Sequence, residues 1–359
     1  MIYRPLGQTG KTVSAIGFGG MRFPDIDNRD ACHQIIQAAL KSGITYFDTA
    51  PGYMSGKSEE RLGEALEGQA VVLSTKSSKS SGTDLRKDLE ASLVRLRRNR
   101  LEVFHVWYVS SKDDYQRRVT GGAIQAALSA RDEGLVEHVF ISTHMAGPDI
   151  VDVLTEGPFE GVTLGVSAIN APFRDAAVQA ATRLGRAVLC MNPLGGGLIP
   201  KRADYFAYLK SPQDRSVVVA ALRFVLSLSP ATIPLVGFGA VAEVAEAAQA
   251  VEPFVPWTPQ RLKQLYEHPN PNLDRLCTGC GYCSGCPEKV EIPSLMLAYN
   301  RKVMGEPDHA VQASMKYEWR LPLSRAAACI ACGVCESKCT QKLPIISRLA
   351  EMAMMKELA

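Results

Sequence analysis

The sequence predicts an α/β protein, a (β/α)8 TIM barrel followed by a small, mainly helical, cysteine-rich domain. Through about the first 250 residues, short apolar runs typical of buried strands alternate with apolar patterns of helical spacing. Eight strand–helix units in a row favour a parallel sheet that closes into a barrel. The cysteines indicate the second domain, because eight of the ten follow residue 276. The predicted domains are residues 1–255 and 256–359.

The elements follow one another in a regular order. A hairpin is predicted over residues 2–15, with its turn in the glycine-flanked stretch Gly7 to Gly10. The predicted barrel strands are residues 16–19, 44–47, 71–75, 101–107, 138–142, 162–167, 187–191 and 232–236. The predicted helices are residues 29–41, one beginning at Ser58, then 84–97, 120–133, 148–155, 174–184, 215–228 and 241–250. Residues 111–120 and 200–215 are predicted to be long loops.

The barrel pattern stops at a group of prolines, Pro253, Pro256 and Pro259. A helix at 260–266 is predicted next, and the linker region is predicted to end at residues 268–271. Between the two groups of cysteines we predict a helix at 293–302.

Charge and hydropathy argue against some classes of function. The net charge is +3, and no stripe of Lys and Arg with interleaved aromatic residues indicates a nucleic-acid partner. The first residues lack the pattern of a signal peptide, and no apolar run reaches the roughly 18 residues of a membrane span. We therefore expect a cytoplasmic protein without a membrane partner. Cysteines stay reduced there, so clustered ones are candidates for metal ligation.

Three reactive side chains fall where barrel strands are predicted to end. Asp48 follows strand 44–47, Lys76 follows strand 71–75, and Tyr53 lies in a Pro-Gly turn. In an α/β barrel the carboxyl ends of the strands line the active-site mouth, so these side chains can converge there. Together they form a unit for proton transfer, because an ammonium held by a carboxylate lowers the pKa of a nearby phenol. Taken singly, they could equally be a helix cap, a turn aromatic and a solvated strand end.

Four segments of this region together resemble the aldo-keto reductase family. They are Phe47-Asp48-Thr49-Ala50-Pro51-Gly52-Tyr53, the strand that ends in Lys76, residues 133–144 and the loop at 192–197. The resemblance implies an oxidoreductase that interconverts a carbonyl and an alcohol with a nicotinamide cofactor, NADH or NADPH. It also implies that Tyr53 is the general acid or base, that Lys76 lowers the pKa of Tyr53, and that Asp48 holds Lys76.

The resemblance further implies a set of cofactor-binding residues. Ser142 and Thr143 match the family's Ser-Asn pair, which hydrogen-bonds the nicotinamide amide, and the 192–197 loop would follow the cofactor backbone. The complete set is Gly20, Met21, Ser142, Thr143, Asn192, Pro193, Leu194, Gly195, Gly197 and Glu246. Gly20 would let a backbone approach a ligand closely, although a small residue closing the barrel floor explains it as well.

Several positions depart from the family pattern. Trp107 stands where the family has a catalytic histidine, and it would offer a stacking face to a ring or sugar substrate. His105 lies two residues earlier on the same strand face, and it is either catalytic or a buried, hydrogen-bonded histidine. His144 is a further polar candidate for the substrate site, while Val166 replaces the family glutamine that supports the nicotinamide.

The adenosine end of the cofactor site also differs. The family's users of NADPH carry basic residues there for the 2′-phosphate, whereas Gly239 and Ala245 occupy those positions here. NADH is therefore at least as good a candidate as NADPH. Glu246 is retained and is expected to contact the adenine.

The eight late cysteines form two groups. The first is Cys277, Cys280, Cys283 and Cys286, and the second is Cys329, Cys332, Cys335 and Cys339. Three cysteines at C-x-x-C-x-x-C spacing favour an iron–sulfur cluster, whereas zinc modules usually use paired C-x-x-C units, so two structural zinc sites are the alternative. Cys32 and Cys190 stand alone and are expected in the core.

These groups resemble the bacterial two-cluster ferredoxin. The resemblance implies two [4Fe–4S] clusters with exchanged fourth ligands, one held by Cys277, Cys280, Cys283 and Cys339, the other by Cys329, Cys332, Cys335 and Cys286. The first group has only two residues before its last cysteine, and Thr340 replaces the usual proline in the second. Either departure could instead mean local ligation by each group.

A barrel with this tail resembles the iron–sulfur group of aldo-keto reductases, and three functions remain open. The first is a nicotinamide-dependent oxidoreductase acting on a small carbonyl or alcohol. The second is a reductase whose clusters receive electrons from a ferredoxin-like or flavoprotein partner. The third is an electron-transfer protein with a vestigial barrel, against which Asp48, Tyr53 and Lys76 argue.

Overall fold

The computed structural model describes residues 1–145, 147–267 and 275–355. The chain forms two compact units: one comprises Met1–Leu194 and Phe206–Tyr266, the other Gly195–Tyr205 and Glu267–Ala359. The predicted end of the linker at 268–271 lies outside the described residues. Among the residues described, no helix has both the length and the apolar character needed to cross a membrane.

The first unit contains a closed parallel barrel of eight strands, which confirms the predicted fold class. Two short strands, β1 (Tyr3–Pro5) and β2 (Thr12–Ser14), form the predicted antiparallel hairpin. The barrel strands are β3 (Gly17–Gly19), β4 (Tyr46–Asp48), β5 (Val72–Ser77), β6 (Leu101–Val109), β7 (Val136–Thr143), β8 (Gly161–Gly165), β9 (Ala187–Met191) and β10 (Thr232–Val236). Each pairs with the next in chain order, and β10 closes the ring on β3.

The helices of this unit alternate with the strands as predicted. They are α1 (Arg29–Lys41), α2 (Lys57–Ala65), α3 (Gly82–Arg95), α4 (Lys112–Thr120), α5 (Ala123–Asp132), α6 (Gly147–Glu156), α7 (Ala171–Arg183), α9 (Val217–Ser227), α10 (Val241–Ala248) and α11 (Pro259–Tyr266), with the short α8 (Leu198–Lys201) assigned to the second unit. Asn28 caps α1 by accepting a hydrogen bond from the Ala31 amide at 3.1 Å, which helps to explain why α1 begins at Arg29.

The prediction of a loop at 111–120 is wrong, because these residues form helix α4. Its sequence is polar almost throughout and shows no apolar stripe, so periodicity could not reveal it. Its start is nevertheless encoded locally: Ser111 accepts a hydrogen bond from the Asp114 amide at 3.1 Å, and acidic residues occupy the first turn. The other predicted loop, 200–215, contains the end of α8 and a turn at Tyr205–Leu209.

The hairpin closes the amino end of the barrel. Leu6 and Val13 are fully buried in one apolar cluster with inward-facing residues of the barrel strands. The strand members of this cluster are Tyr46, Val72, Val103, Phe140, Ala187, Leu189, Ile233 and Leu235. Because these residues fill the lower barrel, the inward residues nearer the carboxyl ends of the strands are left to build a site.

The second unit is mainly helical, as predicted. Its helices beyond residue 275 are α12 (Ile292–Val303), α13 (Asp308–Ala313), α14 (Ser324–Ala327), α15 (Val334–Ser337) and α16 (Ile345–Ala353), with a π turn at Ser314–Glu318. Its core combines apolar residues such as Leu295 and Leu349 with the sulfur-bearing side chains of several cysteines. The buried cysteines of this core are Cys277, Cys283, Cys335 and Cys339.

Candidate functional site

Asp48 and Lys76 form a buried ion pair at the carboxyl ends of β4 and β5. The Nζ atom of Lys76 donates to Asp48 Oδ2 at 2.5 Å and to the carbonyl oxygen of Thr49 at 2.6 Å. Ser74 donates to the second carboxylate oxygen, Asp48 Oδ1, at 2.7 Å. Both charged side chains are almost completely shielded from solvent. The two hydrogen bonds from Nζ fix the ammonium, and the bond from Ser74 fixes the carboxylate with which it pairs.

Tyr53 lies directly beyond this pair. The Lys76 Nζ atom is 5.2 Å from the centroid of the Tyr53 ring, within the range of a cation–π contact. Tyr53 is half-buried and begins the turn Tyr53–Gly56. In that turn Met54 and Ser55 have φ angles of 50° and 57°, which side-chain-bearing residues rarely adopt. Such strained backbone is common at functional sites, where the surrounding structure holds it in place.

The environment of Lys76 acts on its pKa in two directions. Burial lowers the pKa below that of a free lysine, while the attraction and the hydrogen bond of Asp48 oppose that shift. Asp48 therefore keeps the ammonium charged in a place where burial alone would favour its neutral form. An ammonium next to a phenol favours the phenolate, which is the property expected of a unit that transfers protons.

His105 is fully buried beside Lys76 on the neighbouring strand. Its Nδ1 atom lies 3.3 Å from the carbonyl oxygen of Thr75, and its Nε2 atom lies 3.0 Å from the Thr163 hydroxyl. Since a carbonyl only accepts, Nδ1 carries the proton and Nε2 accepts from Thr163. Burial and the Lys76 charge lower the pKa of His105 to about 4. Both ring nitrogens are thus occupied by the protein, a geometry that favours a structural role.

Aromatic rings surround the mouth of the barrel. Trp107, in the place of the family histidine, is half-buried and meets Tyr53 edge-on, with 5.8 Å between ring centroids. Tyr108 adopts a left-handed φ of 64° next to the register shift in β6, and its ring meets that of His144 at 5.4 Å. These rings can form an apolar, flat-sided wall for a substrate.

The Ser142 and Thr143 hydroxyls differ in what they can offer a cofactor. Ser142 is fully buried on β7, and its hydroxyl has no hydrogen-bond partner among the described residues. Strand alternation places it on the inner face with Phe140, a member of the barrel-interior cluster. The Thr143 hydroxyl donates to the Val109 carbonyl at 2.7 Å and accepts from the Met145 amide at 3.1 Å. Ser142 therefore has an unused polar atom for a ligand, whereas Thr143 is engaged with the protein.

The other cofactor-binding candidates are spread over both units. Gly20 donates its amide to Asp48 and accepts from Ser58 with its carbonyl, each at 2.7 Å, so its backbone helps to hold the Asp48 loop. Met21 and Asn192 are half-buried, and Leu194 ends the part of the predicted cofactor loop that lies in the first unit. Of the other residues predicted in this loop, Pro193 belongs to the first unit, whereas Gly195 and Gly197 belong to the second.

An acidic residue, Glu243, contacts Gly239, one of the positions where the family resemblance implies basic residues in users of NADPH. Glu243, in the first turn of α10, accepts a hydrogen bond from the Gly239 amide at 2.7 Å through its Oε2 atom. Val166, in place of the family glutamine, is buried, while Glu246 is half-buried on α10.

In the second unit, four cysteines from both sequence groups line one small hollow. They are Cys277, Cys280, Cys283 and Cys339. The Thr340 hydroxyl, next to Cys339, lies 3.5 Å from the sulfur of Cys280. Burial raises the pKa of Cys277 to about 12, so its thiol would stay protonated without a bound cation. We refer to this set as the first cysteine site.

A second hollow lies beside the first and is lined by the other four cysteines. They are Cys286, Cys329, Cys332 and Cys335, and Cys283 also reaches it. Cys332 is exposed, as are the apolar side chains of Ile330 and Val334 beside it. This second cysteine site is therefore more open to solvent than the first.

The two sites share local backbone geometry. The Gly279 amide donates to the Cys277 sulfur and the Ala331 amide donates to the Cys329 sulfur, both at 3.4 Å. Gly279 and Ala331 also have similar left-handed φ angles, 62° and 55°. Amide hydrogen bonds of this kind stabilise negative charge on cluster sulfur ligands.

Four cysteines line the first hollow and five line the second, with Cys283 in both. Within the described residues, no three Cys, His, Asp or Glu side chains converge closely enough to hold a single metal ion. The C-x-x-C-x-x-C run in each sequence group is the feature that favours an iron–sulfur cluster over zinc.

Sequence reasoning missed several residues that shape these sites. Ser74 on Asp48 and Thr163 on His105 are inward-facing strand residues, and Ser74 could have been found because it lies two residues before Lys76. Asn300 holds the backbone of Cys277 through two hydrogen bonds, at 2.7 Å and 2.8 Å. It lies on α12, far from Cys277 in sequence, so no local signal could identify it.

Comparisons with known proteins agree with this architecture. Residues 15–268 match the model of the aldo/keto reductase family, and residues 276–344 match that of a 4Fe-4S dicluster domain. The chain is 30% identical over 233 residues to the uncharacterized oxidoreductase YrpG of Bacillus subtilis, covering 56% of this chain and 69% of that protein. It is 27% identical over 244 residues to the L-galactose dehydrogenase of Arabidopsis thaliana, covering 61% and 73% respectively.

Solved structures show the same fold. The aldo-keto reductase AKR11C1 from Bacillus halodurans superposes with a TM-score of 0.64 at 23% sequence identity, covering 74% of this chain and 96% of that one. This likeness concerns the barrel fold. With its barrel, the order of its motifs and the match over residues 15–268, the chain belongs to the aldo/keto reductase family of oxidoreductases and carries a 4Fe-4S domain after the barrel.

Proposed function

We propose that this protein interconverts a carbonyl and an alcohol in its barrel with a nicotinamide cofactor, and that it carries two [4Fe–4S] clusters. The observation that carries the first part is the buried Asp48–Lys76 pair, whose ammonium lies 5.2 Å from the Tyr53 ring centroid. A buried ion pair stabilises a fold only weakly, so its placement beneath a half-exposed phenol points to chemistry.

The proposed chemistry assigns one role to each of these side chains. A bound nicotinamide supplies or accepts the hydride. The Tyr53 hydroxyl gives its proton to the carbonyl oxygen during reduction, and the Tyr53 phenolate takes a proton from the alcohol during oxidation. The Lys76 ammonium stabilises the phenolate that is left on Tyr53, and Asp48 keeps that ammonium in place and charged. Both ring nitrogens of His105 are engaged with the protein. We propose that His105 positions the Asp48–Lys76 pair through its contact with Thr75, which precedes Lys76 on β5.

The nicotinamide site is supported by one unused atom. The Ser142 hydroxyl is buried without a partner among the described residues, and buried hydroxyls are usually hydrogen-bonded. A nicotinamide amide would satisfy it. The other proposed contacts come from the family pattern: Gly20, Met21, Thr143, Asn192, Pro193, Leu194, Gly195, Gly197 and Glu246. Glu243 near the adenosine end favours NADH over NADPH.

We propose a small, ring-containing substrate. Trp107 replaces a histidine and packs against Tyr53 in a T-shaped arrangement, which places an aromatic ring beside the proposed proton donor. His144, paired with the Tyr108 ring, supplies a polar group to the same mouth. A relative at 27% identity is named for the sugar L-galactose, which is consistent with a cyclic substrate.

The cysteine domain, proposed as residues 256–359, is inferred to hold its clusters with exchanged ligands. Cys339 lines the first cysteine site although it belongs to the second sequence group. Cys286 lines the second site although it belongs to the first group. Such exchange ties the two groups into one small core, because neither loop completes a site alone.

A second function is favoured by the unequal exposure of the two cysteine sites. In this version, electrons from a ferredoxin-like or flavoprotein partner enter at the exposed second site and serve a reduction in the barrel. Exposed Cys332, with Ile330 and Val334 beside it, supports such an entry point. A purely electron-transferring protein with a vestigial barrel is disfavoured, since it would not need the Asp48–Lys76 pair.

An anaerobic titration with NADH and then NADPH tests the proposal. Binding is followed by nicotinamide fluorescence, and cluster reduction by absorbance and electron paramagnetic resonance. We expect NADH to bind, and Tyr53→Phe to bind it equally well while losing about 100-fold or more in turnover of a cyclic alcohol. Unchanged turnover in Tyr53→Phe would remove the catalytic assignment. Binding of neither nicotinamide, with clusters that a ferredoxin reduces, would favour the second function.

A further inference from the structure

One segment of the chain changes unit. Gly195–Tyr205 follows barrel strand β9 and precedes barrel helix α9, yet it belongs to the second unit. It comprises the turn Gly195–Gly197 and helix α8. We refer to Gly195–Tyr205 as the strap, because the chain enters the second unit after Leu194 and leaves it again at Phe206.

The strap packs directly on the loop that builds the first cysteine site. A Cβ atom added at Gly196 would overlap the carbonyl oxygen of Thr278, which lies between Cys277 and Cys280. Gly196 also has a φ of 70°, in the left-handed region. Only glycine both adopts this φ easily and lacks the Cβ atom that would overlap Thr278. The contact with the cysteine loop therefore restricts the residue type at position 196 as much as its own turn does.

A second contact of the strap leads to the same loop. Arg202 Nη2 lies 2.6 Å from Glu306 Oε1, and Arg301 Nη1 donates to Glu306 Oε2 at 2.8 Å. Arg301 lies on α12, next to Asn300, whose amide holds both the amide and the carbonyl of Cys277. The first contact of the strap therefore ends at the backbone beside Cys277, and the second reaches α12, the helix whose Asn300 holds Cys277.

We propose that the strap makes nicotinamide affinity depend on whether the first cysteine site holds its cluster, without any electron passing between them. The proposal rests on the proposed function, in which Asn192, Pro193 and Leu194 contact the cofactor. These three residues run directly into the strap. Asn192 has a φ of 54°, in the left-handed region that asparagine adopts more readily than most other side-chain-bearing residues.

The coupling between cluster and nicotinamide binding follows from a series of contacts that begins at the cluster. A cluster bound to Cys277 and Cys280 fixes the intervening Thr278, and Thr278 in turn supports Gly196. The fixed strap then restricts the backbone of Asn192 to Leu194. Without the cluster, the loop loses its sulfur ligation and the strap loses the contact that holds it. Binding of the nicotinamide must then also order Asn192 to Leu194, which lowers its affinity. Couplings between sites are commonly about 5- to 150-fold in affinity.

The test measures iron per chain and the NADH dissociation constant, by fluorescence under anaerobic conditions, in the reconstituted full-length protein. Three variants are compared with the wild type: Gly196→Ala, Gly68→Ala and Cys280→Ser. Gly68 has a φ of 72°, close to that of Gly196, but open space around an added Cβ, so its variant carries backbone strain without the overlap. Cys280→Ser removes a ligand of the first site and leaves the strap sequence unchanged.

We expect Gly196→Ala and Cys280→Ser each to lose about half of the iron and to bind NADH about tenfold more weakly. Gly68→Ala should keep its iron and its NADH affinity. Should Gly196→Ala fail to fold, Arg202→Gln provides a milder variant that loses the ion pair with Glu306 and the longer one with Asp204, and a smaller loss of affinity is expected. Wild-type NADH affinity in a Cys280→Ser protein that lacks the first cluster would overturn the proposal. A wild-type protein that binds no nicotinamide would instead overturn the proposed function, and the coupling with it.

Discussion

The Lys76 ammonium lies 2.5 Å from the Asp48 carboxylate, and both side chains are almost fully shielded from water. Removing two charges from water costs several kcal/mol per ion, and pairing returns that cost only with good geometry. Here Ser74 and the Thr49 carbonyl complete the hydrogen bonding. The fold therefore maintains a demanding arrangement directly below Tyr53, where a phenol can use the charge.

Asp48→Asn should shift the alkaline limb of the activity profile to lower pH. Burial already lowers the pKa of Lys76, and Asp48 opposes that shift. Without the carboxylate, Lys76 loses its proton at a lower pH, and turnover, which depends on the ammonium, falls earlier as pH rises. The measurement is kcat/KM against pH. We also expect the free energy of unfolding to fall by about 3–5 kcal/mol, because a buried charge loses its partner.

Asp27→Asn is the matched control for this variant. Asp27 also pairs with a lysine, Lys57, but both side chains are exposed. Its loss should leave the pH profile and the stability nearly unchanged. An Asp48→Asn enzyme with the wild-type alkaline limb would show that Lys76 does not set it.

His105→Asn should lower the free energy of unfolding and have less effect on turnover. The loss of stability should be largest near neutral pH and should disappear as the pH falls toward 4. The folded-state pKa of His105 is lowered to about 4, by burial first and then by the Lys76 charge. In the unfolded chain the ring takes up its proton near pH 6.5. The stability that comes from neutral His105 is therefore fully present above pH 6.5 and is lost as pH falls toward 4, a total of about 3 kcal/mol.

Denaturant unfolding followed by tryptophan fluorescence at pH 7.5 and 5 measures this effect. His105→Asn should be less stable at pH 7.5 and should lose less further stability at pH 5 than the wild type. His309, which is exposed, provides the control variant His309→Asn with little expected change. If His105→Asn folds normally but turns over about 100-fold more slowly, a catalytic role for His105 would replace the structural one.

Cys339→Ser should damage the first cysteine site and spare the second. Cys339 belongs to the second sequence group but lines the hollow that contains Cys277. The reference variants are Cys280→Ser for the first site and Cys332→Ser for the second. The electron paramagnetic resonance spectrum of reduced Cys339→Ser should match that of Cys280→Ser. A match to Cys332→Ser would instead mean that each sequence group binds its own cluster.

The wild-type protein should bind NADH more tightly than NADPH, by about tenfold or less. Glu243 accepts a hydrogen bond from the Gly239 amide, and in the proposed function it places a negative charge near the 2′-phosphate of NADPH. At a surface, repulsion between such charges is worth about 1 kcal/mol at 4 Å in water. Glu243→Gln should reduce the preference by strengthening NADPH binding, whereas Glu246→Gln should affect both cofactors equally. A stronger preference for NADPH in the wild type would contradict this assignment.

Several features of this protein could be predicted from the order of residues along the chain. Alternating strand and helix periodicities indicated the barrel, and strand ends placed Asp48 and Lys76 at its mouth. Helix α4 escaped prediction, since its polar sequence shows no apolar stripe and only the capping Ser111 marks its start. The periodicity of apolar residues indicates which side of a helix faces a core, so it cannot detect a helix that is almost wholly polar.

The sequence by itself determined the barrel, the identity of the reactive side chains and the spacing of the cysteines, because these are local properties of the chain. Tertiary structure alone decided which distant residues meet. It placed Thr163 on His105, Cys339 beside Cys277, and Gly196 against Thr278. The physical reason is that such contacts depend on strand register, barrel closure and the packing of loops far apart in sequence, for which no local pattern of residue types is a guide.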